Sequence, residues 1–194
     1  MNMPTNVLAV GLFAVTAAFL PTGIWFLKLK PFATAPERKI PIERGFATAI
    51  GGVGVYAFMA GFYLMAASPL RDPYNEFFGT IHLLYGLVLI AGAISLGKEW
   101  DLRPTSYLAF LVGLVSVLYV NLNETLIHNV SYTPIFSVAA LVGLTAPAGF
   151  HIKSVWASRV TGILCIALAL VALYLGWNAF SGHIARGLQP PAPK

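Results

Sequence analysis

The sequence predicts an all-α, polytopic membrane protein in which six transmembrane helices form one bundle. Of the 194 residues, 58% are hydrophobic and only 10% are charged, and the mean hydropathy is +0.77. Because a soluble domain carries about a quarter charged residues, this balance indicates a chain that lies in the lipid bilayer. The apolar residues form long runs. In hydrocarbon such runs must be helical, since no water is present to pair with the backbone.

Six of these runs are long enough to cross a bilayer, which takes about 20 helical residues. The predicted spans are residues 6–27, 45–67, 76–97, 104–122, 132–150 and 155–179. The first run is too long for the apolar part of a signal peptide and follows no basic segment, so we expect it to be retained. Residues 1–188 then form one transmembrane domain, and we expect the proline-rich residues 189–194 to be disordered.

The first two spans are joined by a polar segment, residues 28–44, which holds five Lys and Arg residues. Pro31, Pro36 and Pro41 interrupt this segment, so we expect a loop that is not helical throughout.

The second span carries a pattern of small residues, with Ala47 and Gly51 four residues apart and Gly54 close behind. Small residues at this spacing let two helix backbones approach closely in a membrane. We therefore assign Gly51 and Gly54 to helix packing.

The third span carries the chain's clearest polar feature. Asn75 suits the N-cap of a helix, and Asn75, Gly79, His82, Gly86 and Ala93 fall on one helical face. In an apolar helix such a stripe turns away from lipid, towards either a neighbouring helix or a water-filled path. Gly79 and Gly86 in this stripe are expected to serve helix packing.

A tight charged turn joins the third and fourth spans. Its residues Trp100, Asp101, Arg103 and Pro104 contain both an acid–base pair and a proline suited to the first turn of a helix. We expect a structural turn that fixes the two helices and makes no solute contact.

The distribution of basic residues predicts the orientation. The segments after the first, third and fifth spans hold nine Lys and Arg residues, whereas the two termini and the other connections hold three. Since cytoplasmic loops carry the excess of basic residues, both termini are expected outside the plasma membrane.

In this orientation several polar residues lie in the outer half of the protein, where we expect a polar vestibule. The candidate residues for a solute path or for pH sensing are Glu76, His82, Tyr85, Asn121, Glu124 and His128. An ionisable group inside a span is costly to bury and indicates function, and a histidine titrates near neutral pH. The alternative is that His82 only donates a hydrogen bond to a neighbouring helix.

Other chemistries find little support in the sequence. No hydrolase, zinc-protease or nucleotide-binding motif is present, and the single cysteine, Cys165, lies within an apolar run. We expect no enzyme, no metal, no cofactor and no nucleic-acid partner. One alternative stays open, a haem or metal held by His82 and His128.

Two stretches resemble a known family. The pattern EFFG at Glu76–Gly79 followed by LLYG at Leu83–Gly86, and the turn WDLRP at Trp100–Pro104, are similar to the third span and following turn of the AmiS/UreI family of acid-activated urea channels and amide transporters. The chain also resembles uncharacterised small six-span membrane proteins of archaea and acidophilic bacteria. In contrast to the urea channels, its fifth span has no tryptophan.

The resemblance implies a homo-oligomer, a hexameric ring in which each protomer encloses its own narrow pore for a small uncharged solute such as urea or a short amide. Further candidate pore-lining residues are Tyr56, Tyr63, Tyr107, Tyr119 and Trp156. A second hypothesis differs in class. The chain would then be an accessory subunit of a larger respiratory or oxidase complex and would dock other membrane subunits.

Overall fold

The structure, a computed structural model, describes residues 7–29, 36–67, 70, 74–127, 131–152 and 155–187. Six long helices follow one another without strands in this part of the chain, and all six are apolar and long enough to cross a membrane. They are α1 (Val7–Ile24), α2 (Pro36–Ala67), α3 (Tyr74–Gly97), α4 (Arg103–Leu122), α5 (Thr133–His151) and α6 (Val155–Gly187). The predicted six-helix membrane bundle is confirmed.

Two of the helices end in a π-helical turn. Helix α1 continues as Trp25–Leu29, and α4 continues as Asn123–Ile127. Single π-helical turns add a residue to the helical repeat and are frequent at functional sites. Each turn therefore changes which side chains at the end of its helix face the interior.

The prediction was inexact at the start of the second helix. Helix α2 begins at Pro36, although residues up to 44 were expected to form a loop, and Pro41 lies inside the helix. Pro36 stands in the first turn, where its missing N–H has no partner to lose. Pro41 has no N–H to donate, so only the carbonyl of Glu37 loses its helical hydrogen bond. Glu37 lies in the first turn of α2. The tail at residues 189–194 lies outside the described residues.

The six helices form a ring in chain order. Each helix packs against the next, α6 closes the ring on α1, and the closest pairs are α2–α3, α1–α6 and α4–α5. In all three pairs glycine backbones meet: Gly23 meets Gly162, Gly54 meets Gly86, and Gly113 meets Gly143. A Cβ atom on Gly143 would lie 2.6 Å from the backbone nitrogen of Gly113. This close approach lets dispersion contacts hold the helices together in lipid.

The polar stripe predicted on α3 divides between two neighbours. Gly79, Gly86 and Ala93 face α2. A Cβ atom added to Gly51 of α2 would lie 3.0 Å from the Cβ atom of Ala93. His82 instead points towards α1 and the centre of the ring. The Asn75 side chain hydrogen-bonds to the backbone of Leu70, which precedes α3.

The turn between α3 and α4 is fixed by its own hydrogen bonds. Helix α3 ends where Trp100 N–H bonds to the Ser95 carbonyl (2.8 Å) and Glu99 adopts a left-handed conformation with φ 60°. Asp101 then accepts hydrogen bonds from the Arg103 backbone N–H (2.9 Å) and from its Nε (2.6 Å).

These bonds from Arg103 lower the pKa of Asp101 below its ordinary value of 3.8. The ion pair of Asp101 and Arg103 therefore stabilises the turn at any pH above 3.8. It is lost only as the pH falls through the lowered pKa of Asp101. The turn is thus expected to keep its shape in mildly acidic solution.

Candidate solute path

Two cavities lie in series at the centre of the ring and are named outer and inner after the predicted orientation. The inner cavity has a volume of about 120 Å³ and is lined by all six helices, whose contributions include Phe19, Ile50, Tyr85, Thr105, Ala146 and Cys165. The outer cavity, about 20 Å³, lies between α1, α3, α5 and α6 and also has Tyr85 in its wall. The outer cavity has room for about one water, and the inner one approaches the roughly 150 Å³ of a cavity that binds benzene.

His82 lines the outer cavity and is 2% exposed. Its Nδ1 lies 2.6 Å from the carbonyl oxygen of Phe78, one turn earlier on the same helix. Its Nε2 lies against Gly11 of α1, where a Cβ atom would come within 2.5 Å, and makes no hydrogen bond of normal geometry with a described residue. Gly11 therefore provides the space that the imidazole ring occupies.

Tyr85 stands between the two cavities. It is 6% exposed, and its ring packs edge-on against Phe19 with 5.1 Å between the ring centroids. Its hydroxyl faces the buried Ser116 on α4, whose own hydroxyl donates to the Val112 carbonyl at 2.9 Å. Tyr85 therefore lies between the two cavities, and Phe19 lines the inner one beside it.

An outer aromatic cluster, Tyr74, Phe78, Tyr132 and Phe136, lies at the outer end of this series. Phe78 packs against Tyr132 at 5.1 Å and against Phe136 at 5.7 Å between ring centroids, and both Phe78 and Phe136 line the outer cavity.

An inner aromatic cluster, Trp25, Phe26 and Phe150, lies at the other end. All three line the inner cavity, with Phe26 5.1 Å from Trp25 and 5.2 Å from Phe150 between ring centroids. Trp25 and Phe26 belong to the π-helical turn of α1. Sequence reasoning missed both clusters, because aromatic residues near span ends are also typical of the membrane interface.

The predicted site residues fall into two groups. His82 and Tyr85 lie together at the centre of the ring, whereas Glu76, Asn121 and Glu124 are exposed on the outside of the bundle. His128 lies outside the described residues. None of these three residues lines either cavity, and their place in a vestibule stays a prediction. The further candidates Tyr56, Tyr63, Tyr107 and Trp156 are also exposed, and Tyr119 packs against Phe77.

Two asparagines, Asn75 and Asn123, are buried near the exposed residues Glu76, Asn121 and Glu124 in the sequence. The Asn75 side chain accepts a hydrogen bond from the Leu70 N–H (2.8 Å) and donates to the Leu70 carbonyl (2.5 Å). Asn123 donates from Nδ2 to the Thr133 hydroxyl at 3.1 Å, which ties the π-helical turn of α4 to α5. Asn75 thus ties the start of α3 to Leu70, and Asn123 ties the end of α4 to the start of α5.

The cavities do not suit a haem at His82, because the outer one is far smaller than a porphyrin. Within the described residues no three His, Cys, Asp or Glu side chains group to hold a metal ion.

The fold is similar to that of a known channel. A cryo-electron microscopy structure of the Helicobacter pylori urea channel in a closed state matches with a TM-score of 0.69 at 21% sequence identity, over 91% of this chain and 98% of that one. A crystal structure of the urea channel from the same human gastric pathogen matches with a TM-score of 0.67 at 19% identity and the same coverage. The resemblance to the urea-channel family is thus confirmed at the level of the fold.

Comparison with curated proteins gives no match. A family match does cover nearly the whole chain, residues 1–186, and therefore includes all six helices and both cavities. The chain belongs to the family described as "Protein of unknown function (DUF981)".

Proposed function

We propose that this multi-pass membrane protein is a channel or facilitator for a small uncharged solute, urea or a short amide. The observation that carries the proposal is the pair of cavities in series at the centre of a six-helix ring, with Tyr85 common to both. The fold shared with the H. pylori urea channel supports it.

The lining of the cavities favours uncharged solutes. No Asp, Glu, Lys or Arg of the described chain lines either cavity, and most of the wall is apolar. An ion would lose its hydration there without replacement, whereas a small amide needs only an apolar slot with a few hydrogen-bonding groups. Such a facilitator needs no covalent step and no energy source.

We propose that the two aromatic clusters narrow the path at its two ends. A solute can pass only if side chains such as Phe78 at the outer end and Trp25 at the inner end rotate away from the axis. Side-chain rotations of this kind are small compared with a rearrangement of helices and leave the glycine contacts of the ring in place.

We also propose that the protomers assemble into a homo-oligomeric ring, a hexamer by resemblance, in the plasma membrane with both termini outside. Helix α4 presents Leu111, Leu114 and Leu118 on its outer face, which lipid or a second copy would cover. The alternative of an accessory subunit predicts an interior filled by large apolar side chains. The inner cavity of about 120 Å³ favours the channel instead.

Filling the inner cavity is expected to block transport. Ala146 is 6% exposed and lines this cavity, so the added carbons of Ala146→Leu enter open space. Urea permeation into proteoliposomes, followed by stopped-flow light scattering, should fall to the level of empty liposomes. Leu141→Phe is the matched control, because Leu141 is 49% exposed on the outside of the same helix. Equal urea permeation by wild type and Ala146→Leu would refute this path.

We further propose His82 as the pH-sensing residue, with acid lowering the flux. Tyr85 is the only other titratable group that lines the outer cavity in the described chain. A protonated ring would place a charge in the path and turn its free nitrogen from acceptor to donor. Urea permeation should therefore fall as the pH is lowered below the ordinary pKa of histidine, and His82→Gln should remove this fall. A pH effect that survives in the variant would assign the sensor elsewhere.

A further inference from the structure

The wall of the inner cavity is made almost entirely of carbon. Five aromatic rings surround much of it, those of Phe19, Trp25, Phe26, Tyr85 and Phe150, and aliphatic side chains of α2, α3 and α5 complete it. The polar atoms of two of these rings, Trp25 Nε1 and the Tyr85 hydroxyl oxygen, are buried in the protein and contribute almost no surface to the cavity. The rings therefore present carbon to any molecule that enters.

Three hydroxyl groups in the same wall already donate their protons. Those of Thr22, Ser106 and Thr161 bond to carbonyl oxygens of their own helices at 2.7, 2.6 and 3.0 Å respectively, so they have no further proton to offer. Thr105 turns its methyl group towards Gly92 of α3, where an added Cβ atom would lie 3.6 Å from the methyl carbon. Because a buried water needs about two to four polar partners, we expect this cavity to stay dry.

A dry apolar cavity of this size suits small apolar molecules. The inner cavity has a volume of about 120 Å³, and an apolar cavity of roughly 150 Å³ takes up benzene or xenon. The atoms that line an empty cavity have no partners on one side, so an apolar guest gains dispersion contacts with the whole wall. Apolar molecules also leave water for the bilayer, which gathers them around the helices.

We infer that the inner cavity is a binding site for small apolar molecules no larger than about benzene, and that a bound molecule obstructs the solute path. The binding follows from the wall alone, whereas the obstruction rests on the proposed function. All six helices line the cavity, so an occupant fills the path from side to side. Urea can then pass only after the occupant has left.

Xenon NMR on the protein in detergent micelles tests the binding. Wild type should shift the xenon resonance away from its position in protein-free micelles. Ala146→Leu, whose added carbons fill the cavity, should lose most of this shift. Leu141→Phe is the matched control and should keep the shift, because Leu141 is exposed on the outside of the same helix. Equal shifts for wild type and Ala146→Leu would overturn the inference.

A second measurement does not depend on a variant that folds. Diffraction from wild-type crystals under xenon pressure should place a xenon atom in the inner cavity, among Phe19, Ile50 and Val142. Xenon bound only at other places on the protein would contradict the inference.

Urea permeation into proteoliposomes tests the obstruction. Xenon at a pressure that fills the cavity should lower the urea permeability of wild type to near that of empty liposomes, which also report any effect of xenon on the lipid. Undiminished permeation with the cavity occupied would overturn the obstruction. Absence of urea permeation without xenon would instead overturn the proposed function and leave the binding site in place.

Discussion

Gly86→Ala is expected to destabilise the bundle by about 3 kcal/mol, because helices α2 and α3 meet there without space for a side chain. A Cβ atom on Gly86 would lie 2.7 Å from both the Cα and the Cβ of Phe58. Backbone atoms cannot yield as a flexible side chain does, so the two helices must separate. In lipid this loss is serious, since close packing rather than the hydrophobic effect holds membrane helices together.

Gly52→Ala is the matched control for this prediction. Gly52 lies on α2, the partner helix, and a Cβ atom there would meet nothing within 4 Å. Because alanine is the better helix former, this variant should match the wild type or gain up to about 1 kcal/mol. Unfolding of both variants in mixed detergent micelles gives the comparison. Equal stability of Gly86→Ala and Gly52→Ala would show that the α2–α3 contact is looser than described.

The fold could be predicted from the sequence because the bilayer leaves few alternatives. Apolar runs of this length must be helices, and six runs with short connections give a six-helix bundle. The glycine pattern on the second span indicated a packing face, but its partner could not be read from the chain. The contacts of Gly23 with Gly162 and of Gly113 with Gly143 depend on which helices are neighbours in the ring.

The centre of the site was accessible to sequence reasoning, and its outer end was not. His82 was identified because an ionisable group within a span has few reasons to be there. At the end of α4, by contrast, Asn121 is exposed and Asn123 is fully buried. The two residues lie on opposite sides of the helix, and only the packing of α4 against α5 decides which side is buried. Trp25 and Phe26 of the inner aromatic cluster were missed because aromatic residues near span ends are also typical of the membrane interface.

The native cysteine offers a probe of the path. Cys165 is the only cysteine in the chain, is 1% exposed, and lines the inner cavity. A small uncharged mercurial such as methylmercury chloride should reach it along the path, bind the thiol and fill part of the cavity. A bulky sulfonated mercurial should be excluded by its size and charge. Cys165→Ser keeps the shape of the side chain but does not bind mercury, so it is the matched control.

The most direct test of the central claim is therefore urea permeation into proteoliposomes before and after methylmercury treatment, with the modification of Cys165 followed by mass spectrometry. The two cavities in series predict that wild-type permeation exceeds that of empty liposomes, that it falls to that level once Cys165 is modified, and that Cys165→Ser continues to conduct. Undiminished permeation with Cys165 fully modified would contradict a path through the centre of the bundle.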